Sequence, residues 1–130
     1  MVYDIIQNYN ITYNSENIIS LYSDQYIYSG GANGITTRTS QNWNMQCGKF
    51  ITLNDLFFNK SNYILDILKN INNQISQNPE FYFDNYCSLV LQNFKTNQFY
   101  ITSKNTFCTF FQMYDIAPHS TGIPYFCMNY

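Results

Sequence analysis

The sequence predicts a single α+β domain, in which an antiparallel β-sheet carries one main amphipathic helix and one or two short helices on one face. Three observations indicate this class. Segments rich in β-branched and aromatic residues occupy both ends of the chain, a run with helical periodicity lies between them, and no repeat or linker interrupts the 130 residues. Strands followed by helices and then by further strands are typical of α+β domains. We therefore expect residues 1–130 to form one domain.

The first third of the chain predicts three strands. The segment Val2–Tyr13 alternates β-branched and aromatic residues with polar ones, and the turn-forming residues 14–17 separate it from a second strand, Ile18–Tyr28. The glycine-rich segment 29–34 contains residues that tolerate a positive φ, so it predicts a tight turn. A third strand, Ile35–Met45, is expected after it.

The middle of the chain predicts helices. Thr52 precedes Asp55 by three residues, which is the spacing of a capping box at the start of a short helix. The segment Asn62–Ile75 repeats apolar residues at intervals of three and four, the period of an amphipathic helix. Its predicted buried positions are Ile64, Ile67, Leu68, Ile71 and Ile75. A weaker helical segment is expected at 84–92.

The last third predicts three more strands. Two of them, Gln98–Thr102 and Thr106–Phe111, flank a turn at 103–105, and the third is Ile123–Asn129. The connection before the last strand is long and contains two prolines. It is the longest segment of the predicted sheet region that has no regular structure of its own.

Composition excludes several classes of protein. Charged residues are 11% of the chain and aromatic residues 19%, whereas a disordered chain needs high charge and few aromatics. A net charge of −2 offers no basic surface for nucleic acid. The apolar runs are far shorter than the ~20 residues that cross a bilayer. Met1 is not followed by a signal sequence, so we expect any export signal to lie outside this chain.

Four cysteines, at positions 47, 87, 108 and 127, leave more than one interpretation open. They form no Cys-x-x-Cys pair and the chain has one histidine, so we expect no metal site. Two disulfides in any of three connectivities, or free buried cysteines, both fit the count. If the strands around 107–111 and 123–128 form a hairpin, Cys108 and Cys127 lie opposite each other and are the favoured pair.

No constellation of catalytic residues is visible, and we expect neither enzymatic activity nor a cofactor. His119 is the only imidazole, and its neighbour Ser120 cannot readily serve as its nucleophile because adjacent side chains point apart. The eight acidic residues are scattered without the spacing of a carboxylate pair. The glycine-rich turn lacks the Lys-Ser/Thr that follows a phosphate loop.

The segment Tyr114–Pro124 is the main candidate for a recognition loop. Its two prolines would restrain the backbone and Gly122 would allow the return turn, so its side chains would offer contact area at low entropic cost. The same features equally fit a packed connection between two strands. The candidate binding residues are Tyr114, Ile116, Pro118 and His119 in this loop, with Gly31 and Asn33 in the glycine-rich turn.

Three motifs occur in an order that is typical of one family. They are the turn Gly30–Gly34, the run Asn42–Phe57 and the loop Tyr114–Pro124. Together they resemble the C-terminal domain of RsiV-type lysozyme-sensing anti-sigma factors, which also occurs beside the catalytic domain of PdaC-type peptidoglycan deacetylases and is catalogued as domain of unknown function 3298. The resemblance covers about Ile18–Tyr130.

The resemblance implies an extracytoplasmic, non-catalytic binding or sensing module of the cell envelope. Its expected partner is a lysozyme-like protein or a peptidoglycan-related ligand. The chain departs from the family pattern at Asn33, where relatives usually carry histidine, and residues 1–17 correspond at most to the remnant of a preceding companion domain. Two other functions stay open: a structural or assembly subunit with a self-complementary surface, and a small hydrolase that acts through His119 or a carboxylate pair.

Overall fold

The structure is a computed structural model that describes residues 4–58 and 60–130, and it confirms the α+β class. Val2 and Tyr3 of the predicted first strand lie outside the described residues. The strands are β1 (Asp4–Ser15), β2 (Ile18–Tyr28), β3 (Ile35–Asn44), β4 (Lys49–Phe50), β5 (Phe99–Ser103), β6 (Thr106–Phe110) and β7 (Tyr125–Asn129). The helices are α1 (Leu53–Leu56), α2 (Tyr63–Ser76) and α3 (Tyr86–Asn93), with short 3₁₀ turns at Pro79–Phe81 and His119–Thr121.

The strands form two antiparallel sheets, where the sequence predicts one. The first sheet has the order β1-β2-β3-β4 and the second the order β5-β6-β7. The physical reason lies at the free edge of β5, whose backbone groups bond to side chains of the first sheet. The Ile101 N–H donates to Ser20 Oγ, and the Phe99 carbonyl accepts from Asn42 Nδ2, at 2.7 and 3.0 Å. Side chains thus satisfy an edge that a further strand would otherwise pair.

Local sequence explains the turns of the first sheet. Glu16 and Asn17 both have positive φ values, 55° and 62°, and they connect β1 to β2 in a two-residue hairpin. Gly31, at φ 95°, lies in the longer turn between β2 and β3, and its carbonyl accepts a hydrogen bond from the Tyr28 hydroxyl at 2.7 Å. The long β1–β2–β3 meander therefore keeps a continuous register along most of its length.

The start of α1 and the buried face of α2 largely agree with the sequence prediction. Thr52 and Asp55 form the full capping box of α1. On α2, Ile67, Ile71 and Ile75 are buried and Leu68 is half-buried. Ile64 corrects the prediction, because 36% of it is exposed. Ile64 follows the same three- and four-residue spacing as the buried residues, but it lies in the first turn of α2, at the end of the buried face.

The main core lies between the helices and the second sheet. Its fully buried members include Ile71, Ile101, Phe107, Phe111 and Ile116. The first sheet is different, because apolar side chains of its outer strands stay exposed. Ile5, Tyr9 and Ile11 of β1 are 64%, 68% and 65% exposed. Among the described residues, no helix has the length and hydropathy to span a membrane.

Candidate functional site

The connection between β6 and β7 is tied to both sheets through Gln112. Its amide Nε2 donates to the Arg38 carbonyl and to Gln98 Oε1, each at 2.7 Å, and its Oε1 accepts the Arg38 N–H at 2.9 Å. The loop that follows therefore starts from a fixed point against β3. No spacing in the sequence marks Gln112 or Arg38 for this role, because their contact joins segments that lie far apart in the chain.

A cleft of about 320 Å³ lies between this loop and the β2–β3 strands. Its residues are Asp24, Tyr26, Gly34, Thr36, Arg38, Met113, His119, Gly122 and Ile123. Strand residues thus form one wall and loop residues the other. The cleft combines the two segments, loop and glycine-rich turn, that the sequence singles out.

The two charges at the cleft neutralise each other. Arg38 binds Asp24 through two hydrogen bonds, from Nε at 2.7 Å and from Nη2 at 2.9 Å. The guanidinium also lies over the Tyr22 ring, 3.9 Å from its centroid. Burial alone would lower the pKa of Arg38, but the hydrogen bond and the charge of Asp24 raise it above its ordinary value. The cleft therefore favours a ligand that is recognised by shape and neutral contacts over a strongly charged one.

The predicted loop residues divide between the surface and the core. His119 lines the cleft, and its ring lies 5.9 Å from the ring of Tyr114, which is half exposed. Pro118 is half-buried and precedes the 3₁₀ turn at His119–Thr121. Ile116 corrects the prediction, since its side chain is fully buried in the core and offers no contact area. The burial of Ile116 supports the interpretation of the loop as a packed connection, and the role of the loop in recognition stays a prediction.

The glycine-rich turn contributes a residue other than the two predicted. Gly31 and Asn33 are exposed and do not line the cleft, so their role in binding stays a prediction. Gly34 does line it, and a Cβ at this position would overlap the ring of Tyr26. The close approach of Tyr26 therefore accounts for a glycine at position 34.

The cysteines have the arrangement expected from a β6–β7 hairpin. Cys108 and Cys127 lie directly opposite each other and are joined in a disulfide. Cys47 and Cys87 are free and exposed, which differs from the alternative of free buried thiols. The disulfide links the two strands, β6 and β7, that flank the Tyr114–Pro124 loop.

The described residues hold little that could perform chemistry. They contain no group of three or more histidine, cysteine, aspartate or glutamate side chains that could bind a metal ion. The His119 side chain makes a ring contact with Tyr114 and no hydrogen bond to another described residue. In residues 4–58 and 60–130, the cleft shows no nucleophile paired with an imidazole base.

Fold and cleft define a small α+β module of two antiparallel sheets with a loop-walled cleft. Residues 54–130, more than half of the chain, match the family described as "Protein of unknown function (DUF3298)". The chain belongs to the DUF3298 family. Residues 1–36 match a second family model, described as "Deacetylase PdaC", which confirms the relationship to PdaC that the motifs indicate.

Solved structures of other DUF3298 proteins share this fold. A DUF3298 family member from Bacteroides fragilis superposes with a TM-score of 0.72 at 20% identity, over 98% of this chain and 51% of that one. A DUF3298 family protein from Pseudomonas aeruginosa gives a TM-score of 0.71 at 16% identity, over 98% of this chain and 59% of that one. The chain thus spans between half and three-fifths of each of these proteins. No curated protein matches the sequence.

Proposed function

We propose that this chain is a non-catalytic, extracytoplasmic module of the cell envelope that recognises a lysozyme-like protein or a peptidoglycan-related ligand. The observation that carries the proposal is the cleft of about 320 Å³ that brings the His119 loop against β2 and β3. The class of ligand comes from the resemblance to RsiV-type sensors and PdaC-type deacetylases.

The loop is suited to binding because it is restrained at several points. Gln112 ties its first residues to β3, buried Ile116 anchors its middle, and the disulfide of Cys108 joins the flanking strands. A restrained loop loses little conformational entropy when a partner engages it. Tyr114 and His119 then present aromatic area, of the kind that supplies much of the energy of protein interfaces.

The absence of catalysis is part of the proposal. A hydrolase would need His119 to bond a carboxylate or a nucleophile, and the described residues give it neither partner. The extracytoplasmic location is supported by the Cys108–Cys127 disulfide, because structural disulfides persist mainly in oxidising compartments. Both statements agree with a module that senses or anchors a ligand.

Calorimetric titration tests this function. The wild-type protein is titrated with a lysozyme-type muramidase and, separately, with soluble peptidoglycan fragments. We expect binding to one of them, weakened by His119→Ala through lost contact area and by Pro118→Gly through a looser loop. Circular dichroism provides the folding control. If the wild-type protein binds neither ligand, the proposed function is contradicted.

A structural or assembly subunit is the second candidate function, and β1 favours it. This strand is the edge of its sheet, is 12 residues long, and exposes Ile5, Tyr9 and Ile11. Long apolar edge strands can pair with a second copy, and no lysine or proline in β1 opposes that pairing. A mass measurement in solution separates the two candidate functions. If the wild type is a dimer and Tyr9→Lys is a monomer, the assembly function is supported. If the wild type stays a monomer at high concentration, the assembly function is excluded.

A further inference from the structure

A second cavity, of about 470 Å³, lies where the two sheets and the start of the helices meet. Residues of β3, β4 and β5 line it, together with the segment that caps α1 and the first residue of α2. Its volume falls in the range of about 300–1,000 Å³ that is common for ligand pockets. Of the described residues, none lines both this cavity and the His119 cleft.

Half of the residues that line the cavity belong to the motif Asn42–Phe57. No residue of this motif lines the His119 cleft. The motif contributes Asn42, Phe50 and Thr52, among others, to the cavity. Asn42 forms a rigid part of the wall, since its Oδ1 accepts from Ser20 Oγ at 2.6 Å and its Nδ2 donates to the Phe99 carbonyl at 3.0 Å. The cavity is therefore built on the polar joint between the sheets and does not depend on a loose surface loop.

The lining of the cavity has a distinct chemistry. The lining combines aromatic, amide and hydroxyl side chains. The aromatic residues are Phe50, Tyr63 and Phe99, the amides are Gln41, Asn42, Asn54 and Asn97, and the aliphatic hydroxyls are Ser40, Thr52 and Thr96. None of these residues carries a charge at neutral pH. The combination of ring faces with amides and hydroxyls suits a ligand that is apolar on its faces and rich in hydrogen-bonding groups at its edges.

Several polar groups at the cavity are available to such a ligand. Within the described part of the chain, the side chains of Thr96, Asn97 and Tyr63 make no hydrogen bond. Phe50 is 60% exposed and packs on Trp43, with ring centroids 3.9 Å apart, so it has support on one side and accessible surface. A ligand in the cavity would meet an aromatic surface and unused donors and acceptors together.

We propose that this cavity binds a neutral saccharide. The C–H faces of a sugar ring pack on aromatic side chains, and its hydroxyl or acetamido groups pair with the amides and hydroxyls of the lining. A charged ligand is disfavoured, because a buried charge would have no partner there. The inference is independent of the partner of the His119 cleft, and it assigns the protein a second binding site.

Calorimetry and amide chemical-shift mapping of the whole chain test the proposal. The probes are cellobiose, maltose and N,N′-diacetylchitobiose, with glucuronate as the charged comparison. We expect saturable binding of at least one neutral disaccharide, with shifts at Asn97 and at Phe50. Phe50→Ala should raise the dissociation constant by about tenfold or more, because it removes the stacking surface. Asn97→Ala should also weaken binding, and it leaves the Phe50–Trp43 packing intact.

A control variant locates the effect. Phe58→Ala removes an aromatic ring that is 84% exposed and lies outside both this cavity and the His119 cleft. It should bind the disaccharide like the wild type, whatever the muramidase titration gives. The proposal is overturned if no neutral disaccharide binds, if glucuronate binds more tightly, or if Phe50→Ala and Asn97→Ala both retain wild-type affinity.

Discussion

Ser20 and Asn42 lie opposite each other on β2 and β3, and a buried hydrogen bond of 2.6 Å joins their side chains. Each also binds the backbone of β5, Ser20 at the Ile101 N–H and Asn42 at the Phe99 carbonyl. Both residues are almost fully buried. The pair therefore takes the place of a strand at the edge of the second sheet, and it fixes how the two sheets meet.

Replacement of Ser20 by alanine tests this role. The Ile101 N–H would lose its acceptor inside the protein, and a buried unsatisfied backbone group costs about 1–3 kcal/mol. We expect Ser20→Ala to lower the free energy of unfolding by that amount in urea titrations. Ser40→Ala is the matched control, because its Oγ donates at an exposed position to the Asn97 carbonyl. Equal losses in both variants would contradict a special role for the buried pair.

The apolar face of α2 gives a second prediction. Ile67 is 2% exposed, so Ile67→Ala should lower the free energy of unfolding by about 2–5 kcal/mol through lost burial and a cavity. Ile64→Ala, one turn earlier on the same helix, should cost much less because Ile64 is 36% exposed. Thermal and urea unfolding of both variants measure the difference. If Ile67→Ala changes stability by less than about 0.5 kcal/mol, the surface level, Ile67 does not lie in the core.

Tyr100 makes stability sensitive to alkaline pH. Burial raises the pKa of this phenol to about 12, while the positive charge of Arg38 offsets part of the rise. Between pH 10 and 12 the unfolded chain loses the Tyr100 proton while the folded chain keeps it, so the free energy of unfolding falls as pH rises. The loss should approach roughly 2–3 kcal/mol.

Unfolding of Tyr100→Phe over the same pH range checks this prediction. The variant should have a shallower alkaline decline, because its ring cannot ionise. Some decline should persist, since burial also raises the pKa of Tyr82 and of Tyr130. A variant whose stability falls as steeply as that of the wild type would show that Tyr100 does not contribute.

Much of the local structure could be predicted because it depends on neighbours in the chain. The capping box of Thr52 and Asp55 uses a three-residue spacing, and the buried face of α2 follows the helical period. The pairing of Cys108 with Cys127 follows from hairpin symmetry. In each case the signal lies within one element or within two strands that one loop connects.

The features that the sequence does not predict depend on contacts between distant segments, and such contacts leave no periodic pattern in the sequence. The division into two sheets rests on Ser20 and Asn42, two polar residues in strands whose pattern does not mark them as structural. The burial of Ile116 depends on which way an irregular loop turns its side chains. Likewise, Gly34 borders the cleft and lies against the ring of Tyr26, a contact that the sequence alone does not reveal, since it indicates Gly31 and Asn33 instead.

The proposed recognition site consists of the His119 loop and the strands that face it, and amide chemical-shift mapping with a lysozyme-type muramidase can locate the contact residue by residue. The proposed function predicts that the perturbed amides cluster at 113–123 and at 34–38, on the two walls of the cleft. The same experiment on His119→Ala should give smaller shifts at a given concentration. Perturbations confined to β1, or no perturbation with either muramidase or peptidoglycan fragments, would contradict it.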